Sequence, residues 1–150
     1  MIYAHIVVGT DGSPTATEAV RHAARLAGAT GATLHIVHVF QPVPSMAMMG
    51  MDGGAALVAA GGGMDAEQQA QRVLEAAIKV AQAEGAKAEG LLAIDDPASA
   101  LLDTAERVTA DLLVVGNKGM SGVKRFVLGS VPNKVSHHCP CSLLIVNTAG

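Results

Sequence analysis

Five short apolar runs rich in β-branched residues divide this chain, and the spaces between them are long enough for helices. The runs are His5–Gly9, Thr33–Phe40, Ala88–Ile94, Leu112–Gly116 and Leu143–Asn147. Two of them, with the centres Ile6-Val7-Val8 and Leu112-Leu113-Val114-Val115, show no alternation of apolar and polar residues, so both faces of these strands are expected to be buried. Such strands are typical of a parallel sheet that is covered by helices on both sides.

The segments between the runs carry helix signals, namely capping residues, prolines suited to a first turn and apolar residues at helical spacing. The predicted helices begin near Ser13-Pro14, at Asp65, at Pro97 and near Gly129-Ser130, and end near Gly28, Gly85, Val108 and Pro140. Alternating strands and helices with right-handed crossovers predict a single α/β domain over residues 1–150. We expect a doubly wound, five-stranded parallel sheet of order 3-2-1-4-5 with helices on both faces, which binds ligands at the carboxyl ends of its strands.

Residues 41–64 interrupt this alternation. The segment is rich in methionine, glycine and alanine, shows no clear period, and contains five of the seven methionines. Long loops in compact domains are often lids. We therefore expect a flexible loop or lid here; an insertion without a role is the alternative.

Composition excludes several classes of protein. Half of the 150 residues are hydrophobic, which excludes a disordered chain. With a formal net charge of −3 and three aromatic residues, the chain lacks the signature of a nucleic-acid partner or of an anionic membrane surface. No apolar run is long enough for a membrane span, and the first residues do not resemble a signal peptide. Two cysteines one residue apart do not make a disulfide framework, so we expect a cytoplasmic protein.

The stretch after the fourth run carries the most chemical information. Gly116 and Gly119 stand three residues apart at a strand end, and Gly129-Ser130 opens the next helix. Glycines let the backbone approach a phosphate, and the free N–H groups of a helix start favour an anion, to which Ser130 would donate. Ordinary turn and cap residues are the alternative. Three nearby cations could add positive charge: Lys118, Lys124 and Arg125.

The spacing Gly116-x2-Gly119-x9-Gly129-Ser130 resembles the nucleotide signature of the universal stress protein family, in its ATP-binding branch. Residues 6–13, 111–116, 128–135 and 137–146 are similar to other segments of that family, and only 41–64 falls outside the resemblance. The resemblance implies an adenine-nucleotide-binding domain that acts as a sensor or switch in stress responses. The implied ligand is ATP, with or without magnesium; cyclic AMP, which some members of the family bind, is the alternative.

The resemblance also implies the binding residues. Asp11 would meet the ribose hydroxyls, with Gly9 and Thr10 beside it. Val39 would offer its backbone to the adenine edge. The phosphates would lie between two groups of residues, Gly116, Asn117, Lys118 and Gly119 on one side and Gly129, Ser130 and Val131 on the other.

Other chemistries fit the sequence less well. Asp11 also suits an Asx turn before the first helix, and His5, His22, His35 and His38 are scattered without visible partners. The cluster His137, His138, Cys139 and Cys141 has no metal-ligand spacing, so we predict no metal site. We predict no catalytic residue, because neither a committed base nor an arginine finger is evident. A slow ATPase or a self-phosphorylating protein is the alternative.

The last predicted strand, Ser142–Val146, would be an exposed apolar edge of the sheet. Exposed edges are normally covered, and pairing with the same strand of a second copy would cover both by two-fold symmetry. The sequence therefore predicts a homodimer, as does the family resemblance.

Overall fold

The computed structural model describes residues 2–40, 62–117 and 130–148, with the side chains of 62–65 excepted, and five parallel strands form one sheet. The strands are β1 (His5–Thr10), β2 (Thr33–Val39), β3 (Lys87–Ala93), β4 (Leu112–Gly116) and β5 (Ser142–Val146). Their order is β3-β2-β1-β4-β5, which confirms the predicted fold class and strand order. Most strand boundaries differ from the predicted ones by a residue, as is usual at frayed ends.

Four helices cover the two faces of the sheet: α1 (Pro14–Thr30), α2 (Gly62–Ala83), α3 (Pro97–Arg107) and α4 (Ser130–His138). Successive strand residues point to opposite faces. Ile6 and Val8 pack with α1 and α2, whereas Val7 between them packs with α3 and α4. All three side chains are fully buried, so the central strand is apolar on both faces, as predicted.

Helix α1 extends two residues beyond its predicted end near Gly28. The helix continues to a C-cap at Gly31, where a φ of +78° suits glycine. Gly28 instead lies where α1 meets the end of α2. A Cβ there would be 3.3 Å from the carbonyl oxygens of Glu84 and Gly85. This glycine allows two helices to approach closely and does not end one.

The predicted start of α2 at Asp65 was wrong, because the helix begins at Gly62. An acidic residue is favourable throughout the first turn of a helix as well as at the cap, so the sequence signal does not distinguish these positions. The helix therefore includes the last three residues of the 41–64 segment. The remainder of that predicted loop or lid, residues 41–61, lies outside the described residues.

Candidate functional site

A cleft lies at the carboxyl end of the sheet, between the ends of β1 and β4. The strand order reverses here, because α1, which follows β1, packs on one face and α4, which follows β4, packs on the other. The cleft encloses about 620 Å³, including space open to solvent.

One wall of the cleft is apolar and comes from four elements. Val37 and Val39 of β2, Leu101 of α3, Val115 of β4 and Val131 of α4 form it. Leu101 reaches the sheet because Gly9 has no side chain: a Cβ on Gly9 would lie 3.1 Å from Leu101 Cδ2. An aliphatic wall of this kind accepts the face of a flat apolar group without aromatic stacking.

The opposite wall is polar and is formed by the turn from β1 into α1. Asp11 Oδ1 accepts a hydrogen bond from the Ser13 N–H at 2.9 Å, so the Asx turn considered above is present. Ser13 Oγ in turn accepts from the Ala16 N–H and caps α1. No protein group within the described ranges donates to Asp11 Oδ2. The turn and a ligand contact are therefore compatible uses of this carboxylate.

A buried histidine, for which no partner is visible in the sequence, stabilises the polar wall from behind. His38 on β2 places Nδ1 2.8 Å from the carbonyl oxygen of Thr10 at the end of β1. A carbonyl oxygen only accepts, so Nδ1 carries the proton and donates. This bond joins the ends of two neighbouring strands behind the cleft. The sequence signal was weak, since only the strand register reveals that residues 10 and 38 are adjacent.

Asn117 follows β4 and holds that strand to the chain after β5. Its Oδ1 accepts from the N–H and the hydroxyl of Thr148, both at 3.0 Å, and its Nδ2 donates to Asn147 Oδ1. Its backbone N–H donates to the Val146 carbonyl at 2.8 Å. Asn117 is not among the residues that line the cleft.

An ion pair joins the two helices of the apolar wall. Lys134 Nζ on α4 donates to Asp96 Oδ2 at 2.9 Å, and the same oxygen accepts from the Ser99 N–H as the N-cap of α3. The hydrogen bond from Lys134 and then that from the Ser99 N–H lower the pKa of Asp96. This contact connects the start of α3 to the middle of α4 beside the cleft.

Six of the eleven residues predicted to bind the nucleotide line the cleft: Gly9, Thr10, Asp11, Val39, Gly116 and Val131. Two others, Asn117 and Ser130, are described and do not line it. Lys118, Gly119 and Gly129 lie outside the described residues, as do the cations Lys124 and Arg125.

Leu101 and Pro97 of α3 also line the cleft and were not predicted from the sequence. For Pro97 a usable signal was present, because it opens a helix shortly after the end of β3. Neither lysine nor arginine occurs among the described lining residues. Likewise, the described part of the chain contains no group of three or more His, Cys, Asp or Glu side chains placed to hold a metal ion. No described helix has the length and apolar character needed to span a membrane.

Comparisons with known proteins identify relatives along almost the whole chain. The sequence model of the universal stress protein family matches residues 2–147. A universal stress protein of Mycobacterium tuberculosis is 37% identical over 149 residues, which cover 97% of each chain. A crystal structure of a universal stress protein in complex with cAMP has 33% identity, a TM-score of 0.72 and 98% coverage of each chain. The universal stress protein from Archaeoglobus fulgidus in complex with dAMP has 26% identity and a TM-score of 0.66, with 97% of this chain and 98% of that chain covered.

Proposed function

Because this chain belongs to the universal stress protein family, we propose that it binds an adenine nucleotide in the cleft between β1 and β4 and acts as a regulatory protein. The observation that carries this proposal is the cleft itself, where an aliphatic wall faces a polar helix start. A nucleotide has the matching division, with an apolar base face at one end and hydroxyls and phosphates at the other.

The base would lie against Val37, Val39 and Leu101, with the Val39 backbone at the adenine edge. The ribose would lie over the end of β1, with Gly9 and Thr10 beside it, where Asp11 Oδ2 would accept from its hydroxyls. Hydrogen bonds that involve a charged partner are worth about 1.5–3 kcal/mol each. Asp11 is therefore the described residue expected to contribute most of the polar affinity.

The phosphates would lie between the end of β4 and the start of α4. Gly116, Lys118 and Gly119 would contact them from one side, and Gly129, Ser130 and Val131 from the other. Backbone N–H groups at a helix start favour an anion, which supports the second group. Asn117 would stabilise the proposed site from outside the cleft, because its side-chain amide and backbone N–H are hydrogen-bonded to residues 146–148.

ATP is our first choice of ligand, with any magnesium held by its phosphates. The glycine-rich spacing supports it, because each additional phosphate can add charge-assisted hydrogen bonds. Cyclic AMP is the second candidate, and a specific observation favours it: the 33%-identical structure holds cAMP. The dAMP bound by the Archaeoglobus fulgidus protein supports an adenine nucleotide in either case.

We propose that the protein binds the nucleotide without hydrolysing it at an appreciable rate. We propose the cytoplasm as its location. Asp11 is the one acidic residue among the described residues that line the cleft, and phosphoryl transfer relies on several positioned charges. Steady-state ATP hydrolysis measured beside nucleotide affinity separates a sensor from the slow ATPase considered above.

The test is calorimetric titration of the wild type and of Asp11→Asn with ATP, AMP and cyclic AMP. Asparagine keeps an oxygen that can accept from the Ser13 N–H, so the Asx turn survives while the charge toward the ribose is lost. We expect ATP affinity to fall about tenfold, which is about 1.4 kcal/mol. The affinity for cyclic AMP, which lacks a free 3′ hydroxyl, should fall much less.

The matched control is Asp103→Asn, which changes the same charge at an exposed position of α3 away from the cleft. It should bind ATP like the wild type. Equal losses in both variants would refute a role for Asp11 in binding. Tighter binding of cyclic AMP than of ATP by the wild type would reverse the order of the two ligands, and binding of neither would overturn the proposal.

A further inference from the structure

Two thiols meet at the junction between α4 and β5. Cys139 follows the last residue of α4, Cys141 precedes the first residue of β5, and Pro140 separates them. Their Sγ atoms are 3.9 Å apart and both residues are half-buried. They are the two cysteines of the whole sequence, so any disulfide within one copy joins this pair.

The geometry brings the pair near bonding distance. A disulfide bond is about 2.05 Å long, so the sulfurs need to approach by a little under 2 Å. Both side chains pack against the same apolar cluster, on the face of the sheet covered by α3 and α4. Because Pro140 has a restricted φ, the junction has few other conformations to adopt.

A bridge here would not be a structural staple. Closing a loop with one intervening residue removes little entropy from the unfolded chain, so the bond would stabilise the fold only slightly. Disulfides of low stability are easily reduced again and belong to the labile, regulatory kind. The pair is therefore suited to reversible chemistry.

The Cys141 thiol has surroundings that disfavour its ionised form. Burial, together with the neighbouring Cys139 and Asp111, raises the pKa of Cys141 to about 12. Cys141 therefore remains protonated at neutral pH and is a poor first nucleophile. Cys139 is therefore taken as the first thiol of the sequence proposed below, with Cys141 as the resolving thiol.

We propose that Cys139 and Cys141 form an oxidisable pair that a small hydroperoxide converts into an intramolecular disulfide. Half-buried sulfurs favour a small oxidant over a large one such as glutathione disulfide. The Cys139 thiolate attacks one peroxide oxygen, the O–O bond breaks, and the other oxygen takes a proton and leaves as water, or as an alcohol from an alkyl hydroperoxide. Cys139 is then a sulfenic acid.

The second step closes the bridge. The Cys141 sulfur attacks the Cys139 sulfur, the S–S bond forms and the S–O bond breaks, and the hydroxide leaves with the Cys141 proton as water. In total, two thiols lose two electrons and two protons, and hydrogen peroxide is reduced to two molecules of water. A dithiol reductant reverses the change.

The experiment uses the full chain, reduced with dithiothreitol, desalted, treated with hydrogen peroxide and labelled with N-ethylmaleimide. We expect the intact mass to fall by the mass of two hydrogen atoms and neither cysteine to react with N-ethylmaleimide. Dithiothreitol should restore the original mass and the labelling of both cysteines. This measurement on the wild type does not depend on whether a variant folds. Retention of both labelled thiols, or a bridge between two copies on a non-reducing gel, would overturn the proposal.

Two variants test the order of the steps. Cys141→Ser should stop at a sulfenic acid on Cys139, which dimedone traps, whereas Cys139→Ser should keep a labelled thiol at Cys141. Dimedone labelling of Cys139→Ser and not of Cys141→Ser would contradict the assigned order.

Discussion

At the amino end of the sheet, far from the cleft, two histidine side chains form a contact of their own. His5 Nδ1 lies 3.1 Å from His35 Nε2, and His35 Nδ1 lies 4.0 Å from Glu89 Oε1. Burial lowers the pKa of His35 and the neighbouring His5 lowers it further, while Glu89 acts in the opposite direction. The neutral ring is thus the form that the folded protein favours.

This pKa shift predicts a pH dependence of stability. Because the pKa of folded His35 lies below the ordinary value of 6.5, the unfolded chain takes up a proton first as the pH falls. The contribution of neutral His35 to stability is fully present well above pH 6.5. The free energy of unfolding then decreases as the pH falls from there toward the pKa of folded His35. His35→Gln should lack this pH-dependent component. Its free energy of unfolding relative to that of the wild type should therefore increase as the pH falls from 8 to 5.

Urea unfolding at several pH values provides the measurement. His22→Gln is the matched control, because His22 is exposed on α1. The control should follow the wild-type pH dependence. A difference between wild type and His35→Gln that stays constant with pH would show that His35 does not contribute through its protonation.

Helices α3 and α4 hold the apolar wall of the cleft, and Asp96 serves them in two ways, as the N-cap of α3 and as the partner of Lys134. The two uses differ in energy. Replacing a capping residue by alanine costs about 1 kcal/mol. Both members of the ion pair are 50% exposed, and exposed pairs contribute roughly 0–1 kcal/mol.

We therefore expect Asp96→Ala to lower the free energy of unfolding by about 1 kcal/mol more than Asp96→Asn does. Asparagine caps a helix as well as aspartate and loses only the ion pair. Lys134→Met should resemble Asp96→Asn. Urea midpoints of the three variants give the comparison, and equal destabilisation by the alanine and asparagine variants would assign the main effect to the ion pair instead.

At the scale of elements, the sequence predicted what depends on local pattern. Apolar runs such as Leu112–Gly116 identify strands because both faces of the sheet are covered. The roles of Gly28 and His38 could not be predicted, because their partners lie on other elements, Glu84 and Thr10. The same limit applies to the cleft: residues at the strand ends were predicted, whereas Leu101 enters through packing from a distant helix.

At the scale of the whole molecule, β5 is an edge strand, and within residues 2–40, 62–117 and 130–148 no strand pairs with its outer side. The Val146 carbonyl bonds to the Asn117 N–H on the β4 side. Because successive residues of a strand direct their backbone groups to opposite sides, Leu143 and Ile145 direct theirs away from β4. Their side chains are half-buried. This edge is the surface on which the predicted homodimer would form.

Sedimentation velocity at micromolar concentration should show a dimer for the wild type and a monomer for Ile145→Pro. Proline removes an outward N–H that a partner strand would need, and it is tolerated at an edge where that group meets no strand of the described residues. Ile145→Ala loses the same side chain and keeps the N–H, so it should remain dimeric. A wild-type monomer, or identical behaviour of both variants, would contradict pairing through β5.

The central position of β1 also affects when the cleft can form. Ile6 pairs with Leu112, so the two strands that border the cleft are separated by most of the chain. During synthesis, β1 can pair with β2 early, but its other side stays unpaired until β4 has left the ribosome. Contacts so distant in sequence form slowly, because a long loop must close first. A ligand of the cleft would therefore bind only chains that have completed folding, and by binding them would draw the folding equilibrium toward the native state.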